Sequence, residues 1–272
     1  MKTYTNKTVL ITGASSGIGM AMAHDLCGRE ANLILVARST EKLNGLAELI
    51  RKKGKEAHVF TSDLSVSGSA EKLHSEINNA NLQVDLLINN AGYGRWGEFT
   101  DFDLQDYNKM IQLNITTLTE LCHLYVTDME KRKNGGIINV GSTASFVPIP
   151  YGNVYSSTKA YVLMFSEALN YECREKGIHV MALCPGGTQS QFMAVATEKD
   201  IEVQKIAKKR TSSVSFQTSE EVAKECLDAY EKGKIYHIAG RSNRRNYALS
   251  KYLSRKKVLN MVGKMFGQVV GK

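Results

Sequence analysis

Short apolar runs recur along the chain, each followed by a turn of small residues and then by a stretch with helical spacing. Lys7–Thr12, Asn32–Ala37, Ala57–Thr61, Val84–Asn89, Ile137–Val140 and Ile178–Leu183 read as strands, with Ile235–Ile238 as a seventh. Most of these runs lack polar alternation, the mark of strands buried on both faces. Between them Gly17–Arg29, Thr40–Lys53 (ended by Gly54), Ser67–Ala80, about Asp103–Lys133 and Asn153–Lys176 have helical periodicity. Alternating strands and helices predict an α/β domain with a doubly wound parallel sheet and helices on both faces. Ligands of such sheets bind beyond the carboxyl ends of the strands, so the residues at those ends carry the functional information.

Composition narrows the class. At 272 residues, 43% hydrophobic and 23% charged, the chain suits one large globular domain. No apolar run approaches the roughly 20 residues of a membrane span. The first residues read as no secretory signal, and five scattered cysteines (Cys27, Cys122, Cys173, Cys184, Cys226) include no Cys-x-x-Cys pair. A cytoplasmic protein without a metal site is the expectation. The net charge of +8 sits in one place: nine basic residues and no acidic one follow Gly240, leaving −1 for residues 1–240. The chain is therefore read as a domain over 1–240 and a basic amphipathic extension over 241–272.

Strand one runs into Thr12-Gly13-Ala14-Ser15-Ser16-Gly17-Ile18-Gly19, a glycine-rich turn that opens a helix. Such a turn lets backbone amides approach a pyrophosphate. The acidic residue that grips a ribose 2′-hydroxyl after strand two is absent, and Ala37-Arg38-Ser39 stands there. A guanidinium binds a 2′-phosphate that a carboxylate would repel, which favours NADP(H) over NAD. Asp63 and Leu64 follow strand three, and Asn90-Ala91-Gly92 ends strand four, where small residues admit a cofactor close to the backbone.

Tyr-x-x-x-Lys occurs four times, as Tyr155/Lys159, Tyr230/Lys234, Tyr247/Lys251 and Tyr252/Lys256. Residues four apart share a helix face, and a lysine there is expected to lower the tyrosine pKa toward the working range. Only Tyr155 has a hydroxyl residue thirteen positions upstream, Ser142; the other three have Gln217, Lys234 and Ala239.

In order and spacing, Thr12–Gly19, Asp63, Asn89–Gly92, Asn114, Ser142, Tyr155, Lys159 and Pro185-Gly186-Gly187-Thr188 resemble the classical short-chain dehydrogenases/reductases. The resemblance covers residues 5–240 and implies a Rossmann-like sheet of about seven strands. It implies Tyr155 as general acid/base, Lys159 as its activator and ribose ligand, and Ser142 as the donor to the substrate oxygen. Asn114 would hold a water that links Lys159 to solvent. Gly13, Ser15, Ser16, Gly17, Ile18, Gly19, Arg38, Asp63, Leu64, Asn90, Ala91, Gly92, Pro185, Gly186 and Thr188 would join Tyr155 and Lys159 in holding the cofactor. The reaction implied is hydride transfer between nicotinamide and a small-molecule carbonyl or alcohol, with carbonyl reduction as the working direction. The resemblance also implies a homodimer or homotetramer.

Tyr93, Trp96, Phe146 and Val147, with Phe192, Met193, Val195, Ile201, Val203 and Ile206 in a segment expected to cover the site, suggest an apolar substrate. In the tail, Val258, Leu259, Val262, Met265, Phe266 and Val269 have helical spacing among lysines. Such a helix suits an anionic membrane surface or its own domain. Nucleic acid is not expected, because no recognition motif accompanies the basic residues. A cofactor-binding regulator without catalysis and a membrane-surface reductase of lipid carbonyls are the alternatives.

Overall fold

The computed structural model describes residues 4–189, 216–268 and 270. Its centre is a seven-stranded parallel sheet ordered β3-β2-β1-β4-β5-β6-β9. The strands are β1 (Thr8–Thr12), β2 (Asn32–Ala37), β3 (Ala57–Thr61), β4 (Leu86–Asn89), β5 (Gly135–Val140), β6 (Ile178–Cys184) and β9 (Tyr236–Ile238). A separate pair, β7 (Thr188–Gln189) and β8 (Gln217–Thr218), lies parallel beside the sheet. The helices are α1 (Gly17–Gly28), α2 (Thr40–Lys52), α3 (Ser69–Asn79), α4 (Leu104–Ile111), α5 (Leu118–Lys131), α6 (Asn153–Cys173), α7 (Ser219–Glu231), α8 (Arg241–Ser250) and α9 (Arg255–Gly267).

The unbroken apolar runs follow from two helical layers. Val9, Ile11, Leu33 and Leu35 pack with Met22, Leu26, Leu43, Ile50 and Leu227 on one face. Leu10, Ile34 and Val36 pack with Leu73, Ile77, Tyr125 and Val162 on the other. Successive side chains on a strand point to opposite faces, so both parities must be apolar. Each buried leucine or isoleucine contributes roughly 1.5–3 kcal/mol.

Strand order reverses between β1 and β4. Ile11 is paired with Leu35 on one side and Ile88 on the other. That crevice, at the carboxyl ends, is where the site residues gather.

The structure departs from the sequence expectation in three elements. The long helix over 103–133 is interrupted by a π-helical turn, Gln112–Thr117, between α4 and α5. Helix α7 was not anticipated. It is started by a capping box, in which Glu221 N–H donates to Thr218 Oγ1 at 3.2 Å and Thr218 N–H to Glu221 at 3.0 Å. It packs on α1, where Arg29 reaches Asp25 at 2.5 Å, Asp228 at 2.6 Å and Glu231 at 3.2 Å. The tail forms two helices, α8 and α9, and α9 buries its Val262 and Phe266 face on the domain. Among the described residues no helix is long and apolar enough to cross a membrane. The residues from Phe192 to Ile206 expected to cover the site, and Val269, lie outside the described residues.

Candidate active site

The turn after β1 demands glycine twice. Gly13 has φ +67°, a conformation that L side chains rarely adopt. A Cβ on Gly19 would stand 2.5 Å from both Asn90 Nδ2 and the Gly13 carbonyl. Asn90 is the latch of this turn: its Nδ2 donates to Thr12 O at 2.9 Å and Gly13 O at 3.2 Å. Thr12 Oγ1 accepts the Asn90 and Ala91 amides, both at 3.0 Å. The side chain of Asn90, expected among the cofactor ligands, is therefore turned toward the protein's own backbone. Ser16 caps α1 in extended conformation without a side-chain bond to the helix, and the first turn holds no acidic residue. The amides of Gly17–Gly19 thus open α1 toward the crevice beside Ser15 and Ile18.

Arg38 and Asp63 stand exposed at the ends of β2 and β3. Burial alone would raise the Asp63 pKa, but it lies below the usual carboxylate range. The Ser65 hydroxyl (2.7 Å) and amide (3.0 Å) bond it, and Arg38 and Lys109 are near. Leu64 is buried, and its carbonyl accepts Thr117 Oγ1 from the π-turn at 2.8 Å.

The same π-turn delivers Asn114, which is 1% exposed. Its Nδ2 donates to Tyr93 O at 2.9 Å and to Thr158 Oγ1 at 3.1 Å, tying the end of β4 to α6. A π-turn inside an α-helix shifts the side-chain register, and such turns favour functional sites. A Cβ on Gly92 would meet Asn114 Oδ1 at 3.0 Å and Lys159 Nζ at 3.4 Å, so these two groups converge.

Ser142, Tyr155 and Lys159 come together below this point. Ser142 caps a short 3₁₀ turn after β5, accepting the Ala144 amide at 3.1 Å. Its hydroxyl bonds the Tyr155 hydroxyl and reaches Pro185 O at 3.5 Å. Lys159 Nζ lies 5.9 Å from the Tyr155 ring centroid and donates to Val140 O at 2.7 Å.

The expected lowering of the Tyr155 pKa is not found. Burial pushes it up to about 12, outweighing the Ser142 bond, and burial brings Lys159 down to about 8. Spacing places the two side chains on one face, but desolvation of the phenolate is the larger effect here.

The other three tyrosine–lysine pairs lie elsewhere. Tyr230 is buried and bonds His179 O at 3.4 Å, while Lys251 lies 4.5 Å from the Tyr247 ring and Tyr252 is exposed.

Pro185 O accepts the Thr143 amide at 2.8 Å, and Thr188 Oγ1 donates to Gly186 O at 3.1 Å. Asn243 of α8 lies against Gly186, and Phe216 against Gly187. Neither was singled out in the sequence, since nothing in it pairs Asn243 of α8, or Phe216 just ahead of β8, with the turn after β6. Trp96 is buried edge-on to Tyr155, at 5.2 Å between centroids. Phe146, expected beside it, packs instead on Tyr247 at 4.2 Å. Among the described residues no group of three His, Cys, Asp or Glu could hold a metal ion, and the five cysteines are free and buried.

A family model described as short chain dehydrogenase matches residues 7–201. The chain is 29% identical over 258 residues to a 7beta-hydroxysteroid dehydrogenase of Clostridium sardiniense, across 94% of each. A very-long-chain 3-oxoacyl-CoA reductase of Mus musculus is 30% identical over 184 residues, 65% of this chain and 57% of that one. A solved short-chain dehydrogenase of Sphingobium yanoikuyae in complex with NADPH aligns with a TM-score of 0.77 at 27% identity, over 91% of this chain and 96% of the other.

Proposed function

The chain belongs to the short chain dehydrogenase family of oxidoreductases, and from that premise we propose that it reduces hydrophobic ketones, aldehydes or acyl carbonyls with NADPH. One observation carries the reading: the bonded hydroxyls of Ser142 and Tyr155, with the Lys159 ammonium buried against the same ring. The Sphingobium relative's complex with NADPH and the names of the steroid and oxoacyl relatives support it.

The residues present fit a dinucleotide. The turn leaves no room for a side chain at Gly13 or Gly19, and the first turn of α1 offers amides without a competing cap or acid. Ser15, Ser16, Gly17, Ile18 and Gly19 would hold the pyrophosphate, Arg38 the 2′-phosphate, and Asp63 and Leu64 the adenine. Ala91 and Gly92 would border the ribose, with Asn90 keeping the turn in shape. Pro185, Gly186 and Thr188 would border the nicotinamide, and Lys159 its ribose. NADP(H) supplies or accepts the hydride when bound.

The chain's own work is the proton. With its pKa at about 12, Tyr155 is protonated at neutral pH and stands ready as a donor, the form that reduction requires. Ser142 holds Pro185 O only at 3.5 Å, so its hydroxyl can turn to a substrate oxygen and steady the growing negative charge. Lys159 compensates the phenolate left behind, and Asn114 beside it connects the pair to the π-turn. Tyr155→Phe is expected to lower turnover about 10²–10⁴-fold with NADPH affinity retained. Unchanged turnover would reject the mechanism.

Two assembly readings accompany it. Exposed Met164 and Tyr171 on α6, and a groove of about 490 Å³ beside Leu124 and Tyr161, support a homodimer or homotetramer. A monomer by light scattering would reject that. The face of the tail turned from the domain exposes Leu249, Tyr252 and Met261 among basic residues, which supports peripheral contact with anionic membranes. Co-sedimentation with phosphatidylserine vesicles, equal for the intact chain and one ending at Gly240, would reject that contact.

A further inference from the structure

A side chain from the far end of the sequence packs on the tryptophan that borders Tyr155. Phe266 of α9 stacks on Trp96 at 5.2 Å and 28°, and Trp96 in turn meets Tyr155 edge-on at 5.2 Å and 71°. Val262 belongs to the same cluster. Gly152 makes the seat for the indole, since a Cβ there would overlap the Trp96 ring. The indole is 7% exposed, yet its Nε1 is buried and has no hydrogen-bond partner among the described residues. Buried donors are nearly always bonded, so an orphan beside a reactive centre marks a place completed by something else.

We propose that the Trp96 face now covered by Phe266 is the binding subsite for the apolar body of the substrate, a ring-sized or fused-ring carbonyl compound. Phe266 is its internal stand-in. The apolar body of the substrate takes the place of Phe266 on the Trp96 face, a second oxygen that overhangs the indole edge accepts the in-plane Nε1 proton, and the reacting carbonyl reaches Ser142 and Tyr155. This rests on Tyr155 being the proton donor. Aromatic and apolar stacking gives the exchange its selectivity: a small carbonyl has too little surface to displace Phe266, whereas a bicyclic one offers as much as the ring it replaces. Because the binding-competent state is the one with Phe266 withdrawn, the apparent affinity for a bulky ligand falls by the fraction of time the face is open.

Trp96 is the single tryptophan of the chain, so intrinsic emission reports on this face alone. The NADP⁺-loaded protein is titrated with 2-decalone, a fused-ring ketone, following Trp96 emission. The expected result is a saturable shift in wild type, with half-saturation about tenfold lower in Phe266→Ala and intermediate in Phe266→Leu. The KM ratio of acetone to 2-decalone should rise by a similar factor in Phe266→Ala. Calorimetry then compares 2-decalone with decalin-2,6-dione, which carries a second oxygen. The dione should bind wild type about fivefold tighter, and Trp96→Phe should erase that margin. Emission that 2-decalone leaves unmoved, equal half-saturation in wild type and both Phe266 variants, or a dione margin kept in Trp96→Phe would overturn the subsite. Tyr155→Phe separates the two readings. It should keep the emission response without turnover, and a wild type that responds in emission but never turns over rejects the reductase while leaving the subsite standing.

Discussion

A lysine whose ammonium is held at about 8 against an ordinary 10.5 weakens the fold that contains it. Removing Lys159 should therefore make the protein more stable while silencing it. The gap between 10.5 and about 8, at 1.36 kcal/mol per tenfold, is about 3 kcal/mol of penalty for keeping the charge inside at pH 7. Methionine is similar in length and unbranched, so Lys159→Met fills the same space without the charge. It also forfeits the bond from the Nζ ammonium to Val140 O, about 2 kcal/mol. The net gain is about 1 kcal/mol, or roughly 2–4 °C in Tm for a chain of this size.

The sign with pH follows from the lowered pKa. Between pH 8 and 10.5 the unfolded chain binds more protons at this lysine than the folded one does, so wild-type stability rises across that window. The penalty is complete below pH 8 and gone above 10.5, so the advantage of the variant must shrink over the same interval and end as a deficit the size of the lost Val140 bond. Tyr155, raised from 10 to about 12, makes both proteins less stable between those values and cancels in the difference. The assay is thermal unfolding of cofactor-free protein at fixed concentration, at pH 7 and pH 10, beside turnover. A Lys159→Met protein that melts below wild type at pH 7, or a difference indifferent to pH, would refute the reasoning.

Other perturbations probe the remaining parts. Gly19→Ala pushes a methyl against Asn90 and the Gly13 carbonyl; NADPH affinity by calorimetry should fall at least tenfold, and adding Asn90→Ala should restore only part, because the carbonyl clash remains. Arg38→Ala should weaken NADPH by about 10–100-fold and leave NADH nearly unchanged, the loss of a charge-assisted contact; an unaltered preference would remove Arg38 from the phosphate site. Arg29→Ala breaks three ion pairs that are open to water, so about 1 kcal/mol is expected after screening, smaller in 1 M salt, by urea unfolding. Leu35→Ala, wholly buried between layers, should cost about 2–5 kcal/mol by the same assay with no change of cofactor preference.

The strands were legible because both of their faces are buried, and the candidate site because Gly13–Gly19, Arg38, Asp63 and Ser142 follow strands in a fixed order while Tyr155 and Lys159 lie one turn apart on a helix. Other features depend on neighbours far along the chain. The direction taken by Asn90 follows from β1 lying beside β4, which no local pattern states. The π-turn at Asn114 follows from bonds to Tyr93 and Thr158. Tyr-x-x-x-Lys reports geometry, whereas the acidity of Tyr155 depends on how completely water is shut out. Helix α7 did leave a signal, Thr218-Ser219-Glu220-Glu221 ahead of Val222, Cys226 and Leu227. The tail was ambiguous because a basic amphipathic pattern is the same for a lipid surface and for the enzyme's own flank; α9 uses one face for the second and leaves the other outward.

The small parallel pair of β7 and β8 sets Thr188 beside Gln217 and Gln189 beside Thr218. Positions far apart in the chain are thus held side by side, on a pair that is no part of the seven-stranded sheet. The closure entropy of that pairing grows only with the logarithm of the chain length between its strands, so the number of residues joining them could change at little cost to the fold.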